Sequence, residues 1–377
     1  MRSLELAVKY LAGERLIGTA AERTALTTQV STIPQTSYKE LGRTTVSGSA
    51  SSSITVSGFA AKDNLMILFH GIAQSADSDV FLQVGSGGSV DTGSNYAWRN
   101  NRNGGSDATS VSQSNLQMVG TSGDPTGNGL FSVIHIRNVT TEEKLINANS
   151  ASGATGGGNA CDRVELAGKW VHADQLNTIK IYATQNSATF AVGSEVVVLG
   201  CDDDEADSGT NFFQQLNLTT AGGSDLIVNT GTFTAKKYLM IDTFGSTGSD
   251  QMDNFGCRYN GTAASGVTTY SRRVVVNGSG ESTSLSGNYI RFGGGSGAGN
   301  DFLNTTYIIN KAGNEKISLM ETNRNKTTGA GTASERFETI GKWADTSSAI
   351  TSYQLKTDQV SNSEWTTNTK IRVWGSD

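Results

Sequence analysis

Residues 59–67 read FAAKDNLMI and residues 233–241 read FTAKKYLMI, so one apolar segment occurs twice at an offset of 174 residues. Three further pairs follow in the same order: EKL at 143–145 with EKI at 315–317, GKW at 168–170 with GKW at 341–343, and VLG at 198–200 with VWG at 373–375. The offset stays between 172 and 175 residues over all four pairs. Chance similarity between β-rich segments would not keep that register, so the sequence predicts two copies of one domain.

Short apolar or alternating runs fill the chain, and clusters of Gly, Ser, Asn and Asp separate them. Turn signals about every 8 to 12 residues, without helical patterns between them, are typical of an antiparallel sandwich of the jelly-roll or related Greek-key type. Parallel α/β folds are disfavoured because they need crossover helices. We therefore expect an all-β fold with about eight or nine strands per copy. The strands predicted for the first copy are Ile54–Val56, Leu65–Ile72, Val80–Val84, Tyr96–Arg99, Leu116–Val119, Phe131–Val139, Arg163–Trp170, Ile179–Ala183 and Glu195–Gly200.

The N-terminal residues carry the one convincing helical pattern of the chain. Leu4, Val8 and Leu11 recur at helical spacing, Ser3 can cap the helix, and Gly13 ends it. A helix of about ten residues is marginal alone, so we expect it to pack on its own chain or on a neighbouring subunit. The predicted organisation is a helix and extended arm over 1–36, a first sandwich over 37–201, an acidic linker over 202–210 and a second sandwich over 211–377.

Composition excludes several classes of protein. The chain has 377 residues and a formal charge of −6, and only 17% of its residues are charged, which disfavours direct binding to nucleic acid. Its 45 Gly and 2 Pro do not fit collagen. No run approaches the ~18 apolar residues of a membrane span, and the N-terminus lacks the apolar core of a signal peptide. We therefore expect synthesis in a cytoplasm without export.

The densest acidic stretch follows the last predicted strand of the first copy. Its carboxylates at Asp202, Asp203 and Asp204 suit a hard cation such as Ca²⁺. The stretch lacks the alternating acidic spacing of known calcium loops, so a solvated linker between the copies is the favoured interpretation. The three Cys lie far apart and have no metal-binding spacing.

No motif in the chain indicates catalysis. His70, His135 and His172 have no matching His in the second copy. We find no nucleophile elbow, zinc-protease motif, phosphate-binding loop or convincing dinucleotide fingerprint. The sequence therefore predicts no enzyme activity and no cofactor.

The repeated Gly-Lys-Trp motif has two interpretations. Trp170 and Trp343 could form stacking platforms for sugars, with Lys169 and Lys342 as polar contacts. Alternatively each Trp packs in the core while each Lys faces solvent, and the occurrence of the motif at equivalent places in both copies favours this second interpretation.

The order of three further motifs resembles that of β-sandwich structural proteins of tailed phages, especially marine ones. The motifs are IPQT at 33–36, TGSNYAWR at 92–99 and GKW at 168–170, and a closing strand segment follows at 190–200. The resemblance covers nearly all of the first copy and the later motifs of the second. It supplies no catalytic residues.

This resemblance implies a non-enzymatic virion protein of the fibre, tail-associated or capsid-decoration type. The partners expected from it are further copies of the chain, other virion proteins contacted through the N-terminal helix, and host-surface glycans. One alternative is a double-jelly-roll major capsid protein, which would also have two sandwiches and a docking helix. Another is a carbohydrate-binding module or polysaccharide-degrading enzyme.

Overall fold

The computed structural model describes residues 38–72, 75–76, 78–120, 129–153, 161–203, 214–223, 225–247, 254–261, 270–294, 301–325, 327–357 and 365–376. Within these ranges the chain forms strands, turns and connecting segments, and no helix. The predicted all-β class is therefore confirmed. The predicted helix over 3–12 and the extended arm lie outside the described residues.

The described residues of the first copy form twelve strands in two sheets. The strands are β1 (Lys39–Thr45), β2 (Ser53–Ser57), β3 (Asn64–Gly71), β4 (Val80–Gly85), β5 (Tyr96–Arg102), β6 (Ala108–Gln113), β7 (Leu116–Val119), β8 (Gly129–Arg137), β9 (Lys144–Gly153), β10 (Cys161–Trp170), β11 (Thr178–Ala183) and β12 (Glu195–Cys201). One sheet has eight strands in the order β1-β12-β3-β8-β9-β10-β5-β6, and the other has four in the order β2-β11-β4-β7.

The second copy repeats this arrangement. Its strands are β13 (Gln214–Thr220), β14 (Ile227–Asn229), β15 (Tyr238–Ser246), β16 (Phe255–Tyr259), β17 (Tyr270–Val276), β18 (Ser279–Gly287), β19 (Ile290–Gly293), β20 (Asp301–Ile309), β21 (Lys316–Asn325), β22 (Glu335–Trp343), β23 (Tyr353–Thr357) and β24 (Lys370–Ser376). The sheet orders are β13-β24-β15-β20-β21-β22-β17-β18 and β14-β23-β16-β19. Both match the first copy strand for strand, so the fold is a duplicated antiparallel β-sandwich.

Each sandwich has its own apolar core between its two sheets. Several residues of the repeated sequence landmarks lie in these cores at equivalent places. Phe59 and Phe233 are both buried there. Lys144 and Lys316 are also buried at equivalent places, and the Nζ atom of each donates to backbone carbonyls within its own copy. The acceptors are the carbonyls of residues 142, 172 and 173 for Lys144 and of residues 314 and 345 for Lys316.

Nine strands of the first copy coincide with the predicted ones, and three were not predicted. The strands that prediction missed are β1, β6 and β9. β1 and β6 are mostly exposed polar edge strands. β9 reads KLINANSASG, and its small polar residues hide the period of two. The expectation of eight or nine strands per copy was therefore too low.

The glycine of each Gly-Lys-Trp motif lies where the two sheets approach closely. A Cβ atom on Gly168 would lie 2.9 Å from Leu116, and a Cβ atom on Gly341 would lie 2.7 Å from Ile290. Leu116 and Ile290 begin the equivalent strands β7 and β19. The motif therefore repeats its glycine because a side chain there would push the sheets apart.

We predict that Gly341→Ala destabilises the protein by about 1–3 kcal/mol, because the added methyl group overpacks the core against Ile290. Gly331→Ala is the matched control, since a Cβ atom at Gly331 meets nothing within 4 Å. Urea unfolding of both variants gives the comparison. Equal stability of the two variants would contradict this role of the glycine.

Candidate functional site

The structure places the two tryptophans of the Gly-Lys-Trp motifs inside the cores. Trp170 and Trp343 are both fully buried. The Trp170 Nε1 atom donates to Asp91 Oδ2 at 2.8 Å, and its ring stacks on His172 with 4.6 Å between centroids. Neither tryptophan ring presents a face to solvent, so neither offers a stacking platform to a sugar.

The two lysines of these motifs differ. Lys342 is half-exposed and pairs with Glu315 at 3.1 Å. Lys169 is fully buried, and its Nζ atom donates to Asn325 Oδ1 at 2.7 Å and lies 3.5 Å from Glu143. Burial lowers the pKa of Lys169, and the charge of Glu143 opposes that shift. The expectation that both lysines face solvent is wrong for Lys169, because the second copy covers it.

The acidic stretch contributes a buried ion-pair cluster. Asp203 Oδ1 and Oδ2 each accept a hydrogen bond from the Arg137 guanidinium at 2.7 Å, and Lys370 Nζ lies 2.6 Å from Oδ2. Arg372 is 3.4 Å from Oδ1. Lys370 and Arg372 belong to the second copy. Asp203 is therefore a charged contact between the copies, which a solvated linker would not provide.

The calcium interpretation gains no support from this placement. Asp202 pairs with Lys62 at 2.6 Å, and Asp203 is already surrounded by cations. Asp204 lies outside the described residues. Among the residues that the structure describes, no group of three or more His, Cys, Asp or Glu side chains could hold a metal ion.

The two copies touch through the outer faces of their eight-stranded sheets. At the centre of the contact, Asn149 Nδ2 on β9 donates to Glu321 Oε2 on β21 at 2.7 Å. Asn323 Nδ2 donates to the carbonyls of Ile146 and Gly168 at 2.9 and 2.8 Å. Polar side chains therefore form much of the contact.

A second charged cluster lies between the copies, around Arg336 of the second copy. Its guanidinium donates to Glu165 Oε2 and to Asp107 Oδ1 of the first copy, each at 2.8 Å. It also contacts Glu338 of its own copy. The interface between the copies therefore contains two separate charged clusters, one around Asp203 and one around Arg336.

The contact between the copies is asymmetric: it joins residues that are not equivalent in the two copies. Leu145 of the first copy packs against Phe244 and Leu303 of the second. In the duplicated register, Leu145 corresponds to Ile317 and Leu303 corresponds to Phe131. Ile317 and Phe131 are both about half exposed. The equivalent contact with the roles of the copies exchanged is therefore not formed.

A set of large apolar side chains remains exposed on the outer face of the second eight-stranded sheet. Strand pairing places them in two adjacent rows across β15, β20, β21 and β22. Their exposed fractions range from 36% to 56%, and five of them line a shallow depression of about 340 Å³. We call this surface the apolar face, and its members are Tyr238, Tyr307, Ile309, Ile317, Leu319 and Ile340.

Sequence reasoning missed the apolar face, although a signal was present. In β21 the residues KISL alternate, and Ile317 and Leu319 would ordinarily be assigned to the core. The structure instead buries Lys316 and Ser318 and turns the two apolar side chains outward. Large apolar residues on both sides of the strand, Ile317 and Leu319 on one and Met320 on the other, are the signal that could have identified this surface.

Comparison with known proteins gives little guidance. No family model and no curated protein matches the chain. Among solved structures, domains LG4-5 of the mouse laminin alpha1 chain are similar over 90% of this chain and 92% of theirs, with 10% sequence identity and a TM-score of 0.18. The described residues also contain no helix long and apolar enough to cross a membrane.

We predict that Asp203→Asn destabilises the protein by about 3–5 kcal/mol at pH 7, because it leaves buried cations without their counter-charge. Burial alone would raise the pKa of Asp203, but Arg137, Lys370 and Asn64 lower it well below its ordinary value. The stabilisation is therefore fully present above about pH 4, the unfolded pKa, and is lost as the pH falls towards the folded pKa.

Urea unfolding at pH 7 and at pH 3 checks this prediction, and the difference between Asp203→Asn and wild type should shrink at pH 3. Asp202→Asn is the control, since its pair with Lys62 is partly exposed and should contribute at most about 1 kcal/mol. If Asp203→Asn lowered the free energy of unfolding as little as Asp202→Asn does, the proposed contribution of the Asp203 cluster to stability would be contradicted.

Proposed function

We propose that this chain is a non-enzymatic structural protein that assembles with copies of itself, and that the apolar face is its assembly surface. The resemblance to phage structural proteins supports a place on the exterior of a virus particle, as a fibre, tail-associated or decoration subunit. The observation that carries the assembly role is the apolar face itself.

Two features of the apolar face support this proposal. Its six side chains are contiguous, because they follow one another across four hydrogen-bonded strands. Contiguous exposed apolar surface of this kind marks interaction sites in soluble proteins. The corresponding region of the first copy, which includes Arg137 and Leu145, is buried against the second copy. The fold therefore already uses this region once as a contact surface.

Glycan binding through the Gly-Lys-Trp motifs is not part of the proposal, since both tryptophan rings are buried. An exterior virion protein that binds glycans would have to use other residues.

We predict that Leu319→Lys weakens self-association of the full chain at least tenfold, because a lysine ammonium would lose its hydration in the contact. Leu319 is 56% exposed, so the substitution should leave folding intact. Ile227→Lys, at an exposed apolar position on the four-stranded sheet of the same copy, is the matched control.

Sedimentation at concentrations up to several hundred micromolar measures the association. We expect oligomers for wild type and for the Ile227 variant, and monomers for the Leu319 variant. The proposal would be contradicted by a wild-type protein that is monomeric at all these concentrations, or by a Leu319 variant that associates like wild type.

A further inference from the structure

We propose that the partner of the apolar face is the N-terminal segment of a neighbouring copy of this chain, with Leu4, Val8 and Leu11 packed against the face. This inference rests on the proposed assembly function and names the contact through which assembly occurs.

Tyr38, the first described residue, lies at one end of the apolar face. Its ring is 5.9 Å from that of Trp374, and it packs against a buried cluster containing Met240. Strand pairing puts Trp374, Met240, Tyr307, Leu319 and Ile340 side by side in one row of the sheet. Tyr38 thus packs against the first two members of this row, which are buried, while the last three stay exposed. Residues 1–37 therefore connect to the molecule at the border of the surface that needs a partner.

The N-terminal sequence suits this surface in pattern and size. Leu4, Val8 and Leu11 would form one apolar stripe on a helix. A helix over residues 3–12 would be about 15 Å long. Four adjacent strands span about 14 Å between the outermost strand axes. One short helix could therefore cover most of the exposed side chains.

The connecting sequence is long enough to reach another molecule. Residues 13–37 could span about 80 Å when extended, several times the width of the apolar face. Exchange of such an arm between copies needs no change in the sandwiches. Each chain then donates its N-terminal segment to one neighbour and binds the segment of another neighbour on its own apolar face. Assembly would then follow from a single kind of contact repeated from chain to chain.

Full-length variants test this inference. The first carries Leu4→Asn, Val8→Asn and Leu11→Asn together, which removes the apolar stripe. Leu6→Asn is the matched control, because Leu6 would lie on the opposite side of the same helix. We expect the triple variant to be monomeric by sedimentation, and the Leu6 variant to associate like wild type.

Mixing two deficient chains separates exchange between copies from packing within one chain. The triple variant keeps an intact apolar face, and the Leu319→Lys variant keeps an intact N-terminal segment. We expect each to be monomeric alone and the mixture to form one-to-one dimers, since one chain then supplies the segment and the other the face.

The outcomes distinguish this inference from the function on which it rests. If the triple variant associates like wild type while Leu319→Lys does not, the apolar face has another partner, and only the inference is overturned. If both variants are monomeric but their mixture forms no dimer, the segment does not act between copies, and the inference is again overturned. A monomeric wild type would overturn the proposed function as well.

Discussion

Asp203, at the end of the first copy, forms ion pairs with Arg137 of the same copy and with Lys370 on the last strand of the second copy. It therefore links the two copies. Moving one ion from water into a protein interior costs several kcal/mol, so a buried charge persists only where its partners are all in place. The Asp203 cluster and the Arg336 cluster place charges of one copy against opposite charges of the other, and Asn323 adds amide contacts between the copies. The relative position of the two sandwiches depends on these polar contacts. The same contacts determine which part of the outer sheet surface remains exposed to solvent.

Duplication gave both copies the same sheet, but the copies use its outer face differently. Arg137 and Lys169 of the first copy correspond to Ile309 and Lys342 of the second, and only the first pair is buried. A symmetric contact would have covered the outer faces of both sheets equally and left neither of them open to another molecule. The observed one-sided contact leaves the second face uncovered, as in a head-to-tail arrangement of subunits.

Much of the fold could be predicted from the sequence because core contacts repeat. Phe59 and Phe233, or Trp170 and Trp343, occupy equivalent core positions, and the nearly constant offset between such pairs revealed the duplication. The contact between the copies could not be predicted in this way, because it joins non-equivalent residues. Nothing local to Asp203 shows that cations from β8 and β24 will surround it.

The outward turn of Ile317 and Leu319 also has a physical cause that pattern reading cannot supply. Buried Lys316 donates to two backbone carbonyls and lies over the Trp343 ring, at 5.5 Å from its centroid. Those contacts fix which side of β21 faces the core, and a shift by one residue would expose Met320. The apolar face is therefore a consequence of the register of the sheet.

The energetics of the apolar face argue for repeated contacts. Fully burying a large apolar side chain contributes about 1.5–3 kcal/mol, and these six are already about half-buried, so covering the face contributes on the order of 6 kcal/mol. The apolar side chains of the docked segment, Leu4, Val8 and Leu11, contribute a similar amount when they are buried. Association costs at least about 4 kcal/mol in lost translational and rotational freedom. A single such contact between free chains is therefore of moderate strength and detectable at several hundred micromolar. Contacts repeated within an ordered particle reinforce one another, because each one raises the effective concentration of the next. An assembly surface of this strength suits a subunit that is held in place by many neighbours.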